Sequence, residues 1–127
     1  MAATIYKLNR DGKLIRSFLA PNTSPRGITF DGKSIWVTDN VAGTIYKLDL
    51  EGKLIKSFLS PGTVPKGAMF DGKYLWVIDG TVASIYQLDL NGKEIKSINV
   101  TGIDASPQGI AFDGKHLWMT GAGGGIE

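Results

Sequence analysis

Apolar residues along this chain fall into short runs that return every forty residues or so. Gly27 to Phe30 is short and apolar. Ser34 to Thr38 carries Ile35, Trp36 and Val37. Thr44 to Leu48 reads Thr-Ile-Tyr-Lys-Leu, and in Leu54 to Leu59 Lys56 and Ser57 dilute the apolar residues. No stretch of ten residues or more keeps the 3.6 period of a helix. β-branched and aromatic residues crowd the runs, and Gly, Pro and Asp crowd the gaps, so each run predicts a strand. Asp31-Gly32 predicts a two-residue loop of the type favoured in hairpins, because both positions tolerate positive φ.

The runs belong to an internal repeat. Thr4–Gly43 aligns with Thr44–Ala83 without a gap, and 23 of 40 positions are identical. Ser84–Gly124 is a third copy with two extra residues near Asp104. Three anchors recur in order: Gly12-Lys13, then Pro25-Arg26-Gly27, then Phe30-Asp31-Gly32-Lys33. A tryptophan strand around Trp36, Trp76 or Trp118 closes each copy. Each copy therefore predicts four strands, apolar in the early ones and more polar in the last. That gradient suits a β-propeller blade, whose inner strands are covered on both faces while the outermost meets solvent.

The recurring pattern is Pro-x-Gly-x-x-Phe-Asp-Gly-Lys-x-Leu-Trp-Val-x-Asp, then Ile-Tyr-Lys-Leu-Asp, then Gly-Lys-x-Ile. It resembles the repeats of NHL-like bacterial β-propellers and the blades of virginiamycin B lyase-like proteins, over all three copies. The resemblance implies an all-β propeller, residues 1–127 as a single domain, with repeats 4–43, 44–83 and 84–124. It does not select an activity, because such blades carry lectins, lyases, lactonases and scaffolds alike. Relatives usually hold six or seven blades in one chain, and this chain holds three.

The phase of the repeats matters for assembly. The chain opens at a third strand and ends after a second strand, giving two whole blades, Gly27 to Phe58 and Gly67 to Ile98, between two half blades. The halves, Thr4–Phe18 and Gly109–Thr120, expose strand edges and are complementary. Three blades cannot close a ring, since propellers have roughly 4–8. A homodimer with strand exchange between the chain ends gives a six-bladed ring, and the expected partner is therefore a second copy.

Composition narrows the functions. The net charge of +2 is too small to point to nucleic acid or a membrane surface. The absence of cysteine excludes disulfides and thiolate metal sites. No basic residue precedes an apolar stretch at Met1-Ala2-Ala3-Thr4, so no signal peptide is expected and the cytoplasm is the default compartment. The 17 glycines fit many tight turns. Gly121–Gly125 reads as a flexible end, with neither a phosphate-loop nor a dinucleotide signature. Asn22-Thr23-Ser24 and Asn99-Val100-Thr101 match a glycosylation sequon without a secretion signal.

Candidate chemistry is sparse. Trp36, Trp76 and Trp118 sit mid-strand between aliphatic residues and are expected in the core, as are Tyr6, Tyr46 and Tyr86. The one histidine, His116, starts a strand just after a turn and is expected at the surface. Asp49-Leu50-Glu51-Gly52 and Asp89-Leu90-Asn91-Gly92 resemble calcium-loop starts but lack the flanking helices, and read as turns. Asp39 and Asp79 end the tryptophan strands, either as ligand carboxylates with Asn40 beside them or as acceptors for loop amides. Gly121 replaces them in copy three. Arg26, Lys66 and Gln108 lie between the Pro and Gly that open each innermost strand, near the expected channel mouth.

These residues favour a non-enzymatic binding or scaffold module, its ligand a small anion or a carbohydrate at the mouth. No cofactor, metal or catalytic residue is expected. A lyase- or lactonase-like enzyme is the second reading, but lactonase-type propellers need channel carboxylates around a metal, and the inner strands offer Ile28, Thr29, Ala68, Met69, Ile110 and Ala111. A virginiamycin B lyase-like activity would call for a channel histidine, and His116 is on the second strand. A truncated or engineered half-propeller without a ligand of its own is the third.

Overall fold

The computed structural model describes residues 3–122. They form twelve strands: β1 (Thr4–Leu8), β2 (Leu14–Leu19), β3 (Pro25–Phe30), β4 (Ile35–Asp39), β5 (Thr44–Leu48), β6 (Leu54–Leu59), β7 (Pro65–Phe70), β8 (Leu75–Asp79), β9 (Ser84–Leu88), β10 (Glu94–Asn99), β11 (Pro107–Phe112) and β12 (Leu117–Gly121). All pairings are antiparallel. β3 to β6 and β7 to β10 are four-stranded meanders, flanked by the two-stranded sheets β1–β2 and β11–β12. The all-β architecture and the division into two whole and two half blades follow the repeat. The expected tail reaches only partly into view: Gly121 closes β12, and Gly123–Gly125 lie outside the described residues.

The core lies between sheets rather than within one. Trp36 and Ile45 of the first whole blade bury against Leu75, Val77 and Leu88 of the second. Met69, Trp76, Ile78 and Ile85 of the second meet Leu117 and Met119 of the last half blade. Ile5 and Phe18 of the first half blade meet Val37 and Leu48. The second strand of each whole blade is covered on both faces, and β8 is buried along its whole length. That is why its residues read as a continuous apolar run, Leu-Trp-Val-Ile, instead of alternating.

Trp118 and Tyr6 depart from their expected core positions, Trp118 with 62% of its surface exposed against 0% for Trp36 and 8% for Trp76, and Tyr6 with 63%. The difference is one of neighbours: Trp36 and Trp76 each face a following sheet, and no described sheet follows β11–β12.

Glycine sets how closely the innermost strands approach. A Cβ on Gly27 would stand 2.7 Å from the backbone nitrogen of Ala68, and one on Gly67 would stand 2.8 Å from the Gln108 carbonyl oxygen. The first two Pro-x-Gly motifs thus pack their glycines directly onto the backbone of the next inner strand, where no side chain fits. The Gly27→Ala and Gly67→Ala variants should each lose about 1–3 kcal/mol, the usual cost of overpacking against rigid atoms. Urea denaturation measures this, and wild-type midpoints in both variants would contradict the close approach.

Candidate functional site

Each inner strand begins with a bulge. In the β3–β4 pair Pro25 lies opposite Asp39 and Gly27 opposite Thr38, so Arg26 has no partner of its own. The same shift leaves Lys66 unpaired between Pro65 and Gly67, and Gln108 between Pro107 and Gly109. The bulge is held by side chains where the sequence allows: the Gly27 amide donates to the Thr38 hydroxyl at 2.9 Å, and Gly109 does so to Thr120 at 3.0 Å. A bulge re-aims the extra residue away from the alternating pleat. All three extra residues stand at the same end of neighbouring inner strands. Arg26 is exposed, while Lys66 and Gln108 are half-buried. The Lys66 stem lies over Gly80, close to the Pro107 carbonyl, and the Gln108 amide donates to the Ser106 carbonyl and hydroxyl oxygens, each at 3.2 Å.

Asp39 and Asp79 share that end but are buried, with 1% and 0% of their surfaces exposed. Asp39 accepts from the amides of Ser24, Val41 and Ala42 at 2.8–3.0 Å. Asp79 accepts from those of Val64, Thr81 and Val82, also at 2.8–3.0 Å. Of the two roles considered, the structure shows the loop-clamping one, and both carboxylate oxygens of each clamp are committed to backbone donors. Asn40 is half-buried and accepts a 2.6 Å hydrogen bond from the Ser24 hydroxyl through its side-chain oxygen. The charged group offered at this end therefore comes from the bulges.

Sequence reasoning took Gly121 as a lost carboxylate and missed where it went. A Cβ on Gly62 would collide with the Asp79 carboxylate, and one on Gly121 would collide with that of Asp104. The acid has crossed from strand end to loop, and the glycine has crossed the other way. Asp104 accepts from the Ser106 amide at 2.8 Å, the bond that Asp79 makes to Val64. The signal was present in the aligned pairs Gly62/Asp79 and Asp104/Gly121, though only a contact map gives them meaning.

The opposite end of the strands carries tight turns, and one expectation fails there. The Asp31-Gly32 turn is a four-residue loop, Asp31 to Ser34, closed by the Asp31 amide on the Ser34 carbonyl at 3.1 Å. Only its glycine has positive φ, at 97°. The cause is the aspartate side chain. Its Oδ1 takes the Lys33 and Ser34 amides and its Oδ2 takes the Trp36 indole N–H at 2.8 Å, which fixes a wider loop. Asp71 repeats this with Trp76, and Asp113 with Trp118. His116 belongs to the third such loop, exposed, with its backbone amide on Asp113. Asp49 and Asp89 close the other turns through the amides of Glu51 and Lys53 and of Asn91 and Lys93, as expected of hairpin turns. Among the described residues no three His, Cys, Asp or Glu side chains are grouped to hold a metal ion.

The comparisons with known proteins agree with this geometry. No protein-family model and no curated protein sequence matches the chain. Solved structures do. A streptogramin B lyase superposes with a TM-score of 0.74 at 25% identity, over 94% of this chain and 42% of that one. A catalytically inactive histidine-to-alanine variant of virginiamycin B lyase from Staphylococcus aureus, solved with quinupristin, gives 0.69 at 26% identity, over 90% and 40%. The chain is similar to the virginiamycin B lyase β-propellers. Glutaminyl cyclase from Myxococcus xanthus, 11% identical with a TM-score of 0.74 over 92% of this chain and 52% of that one, shows the same fold and nothing more. The chain spans less than half the length of the lyases it matches.

The turn aspartates give stability a pH dependence. Burial opposes ionisation of Asp31, yet the Ser34 amide, the Trp36 indole, the Lys33 amide and Lys47 together hold its carboxyl below the usual 3.8. Asp71 behaves likewise, burial being outweighed by the Trp76 indole and loop amides. For Asp113 the His116 amide leads, followed by the Trp118 indole. A carboxyl lowered by folding contributes stability that is complete above its unfolded value and lost as pH falls through the folded one. Stability should therefore hold at neutral pH and drop steeply below about pH 4. Asp71→Asn should flatten that drop, as measured by urea midpoints between pH 2 and 7. An unchanged profile would remove Asp71 as a contributor.

Proposed function

We propose that the chain is one half of a six-bladed β-propeller completed by a second copy, and that the ring is a non-enzymatic binding module for a small anion. One observation carries the reading. The three bulges put Arg26, Lys66 and Gln108 at one end of adjacent inner strands. Two copies about a two-fold axis along the channel would double each, so the mouth would be ringed by guanidinium, ammonium and amide donors. The aspartates at that end are committed to loop amides, so the donors keep a net positive field. A carboxylate or phosphate ligand suits such a ring, because charge-assisted hydrogen bonds from several donors can converge on it.

The lyase reading is less well supported. Replacing a histidine goes with inactivity in the virginiamycin B lyase named above. The histidine of this chain, His116, lies in the loop between β11 and β12, at the far end from the bulges.

Calorimetric titration with citrate at low ionic strength tests the binding reading. Wild type should bind, and Arg26→Ala combined with Lys66→Ala should weaken binding at least tenfold, with added salt acting in the same direction. Equal affinity in wild type and the double variant would sink the proposal. No measurable binding by wild type would favour a half-propeller without a ligand of its own.

A further inference from the structure

We infer that two copies join through a composite blade, in which β11–β12 of one copy completes β1–β2 of the other and Trp118 enters the cavity beside Ile5. This rests on the two-copy ring proposed above and specifies its contacts.

The first ground is a core layer that lacks its tryptophan. Between the whole blades Trp36 is packed against Ile45, Phe58, Leu75, Val77 and Leu88. Forty residues earlier the corresponding Ile5, Phe18, Ile35, Val37 and Leu48 gather in the same way. No residue of the described chain takes the tryptophan's place there, and a cavity of about 290 Å³ opens beside Ile5, Phe18 and Ile35. The tryptophan without a layer is Trp118. Lys7 lines the cavity. It corresponds to Lys47, whose Nζ lies 5.5 Å over the Trp36 ring, so the cation–π contact would be re-formed as well.

The second ground is a turn without a cover. Phe18 lies over Gly52 and Phe58 over Gly92, at 2.6 and 2.7 Å from where a Cβ would stand. A Cβ on Gly12, the first of the series, would meet nothing within 4 Å among the described residues. Ile98, the residue that follows Phe18 and Phe58 in the repeat, falls on Gly12 when the second copy is placed by the repeat.

The third ground is charge. Lys56 reaches across to the next blade, its Nζ 3.4 Å from the Leu90 carbonyl and 3.2 Å from the Asn91 side-chain oxygen. At the seam the corresponding pair is Lys96 of one copy and Asp11 of the other. An ammonium there meets a carboxylate instead of an amide, which favours this pairing of ends.

The register follows from the whole blades. Val37 pairs with Tyr46 and Trp36 with Lys47, so Met119 of one copy lies opposite Tyr6 of the other, and Trp118 opposite Lys7. The chain has no cysteine of its own, so engineered pairs are unambiguous. The Met119→Cys, Tyr6→Cys double variant should form a disulfide between chains under mild oxidation. Met119→Cys with Lys7→Cys should not, because adjacent strand residues point to opposite faces. Light scattering should give twice 13.6 kDa, and Trp118→Ala should raise the dissociation constant roughly 30-fold or more, as for a buried aromatic anchor. A particle of double mass that forms no Met119–Tyr6 disulfide, or that is indifferent to Trp118→Ala, would overturn this seam and leave the two-copy ring standing. A 13.6 kDa particle at micromolar concentration would overturn both.

Discussion

A blade of this sequence cannot bury its own apolar faces, and the rest of the structure depends on that constraint. Trp36, Ile45, Leu75 and Val77 are apolar on sheets only one strand thick, so burial must come from the sheet on either side. Sheets stacked face to face around an axis bring their inner strands closer together than their outer ones. At the inner edge, the gap closes until backbone meets backbone, and Gly27 and Gly67 mark those places. At the outer edge the gap is wide enough for Phe58 to tilt against Trp36, ring centroids 5.8 Å apart. Small residues inside and large ones outside are two readings of one taper.

The carboxylates complete what the apolar layers begin. Trp36 and Trp76 each span the gap between sheets with the indole N–H tied to the turn aspartate of their own blade, so the ring is fixed in orientation as well as buried. At the other end a second carboxylate collects the loop amides that would otherwise lack partners. Copy three shows that the requirement is for the charge and not for the residue position: Asp104 reaches in from the loop where Asp79 reaches out from the strand. A clamp that can be moved from strand end to loop is a structural device, its carboxylate committed to backbone donors.

The fold was legible because a repeat states its pattern three times, and the strand runs, the four-strand unit and the split of the ends could be read from Pro-x-Gly, Asp-Gly-Lys and the tryptophan runs alone. Three details were not. The Asp31 loop is wider than its Asp-Gly dipeptide suggested, because a side chain and not φ decides its geometry. The bulges at Arg26, Lys66 and Gln108 depend on which residue faces which across a hairpin, a property of register that linear spacing does not encode. The exposure of Trp118 depends on a neighbouring sheet, so identical local sequence gives opposite burial in different copies.

The bulge also accounts for the variation among the repeats. Pro25, Pro65 and Pro107 are the same residue, as are Gly27, Gly67 and Gly109. The glycine is held by the strand beside it, which leaves no room for a side chain at Gly27 or Gly67. The residue between them has no cross-strand partner and is turned out of the pleat, so the sheet core places little demand on its identity. Arginine, lysine and glutamine can therefore alternate there without disturbing a single layer of the core. Between an unvarying proline and glycine, the bulge is what leaves these three positions free to vary.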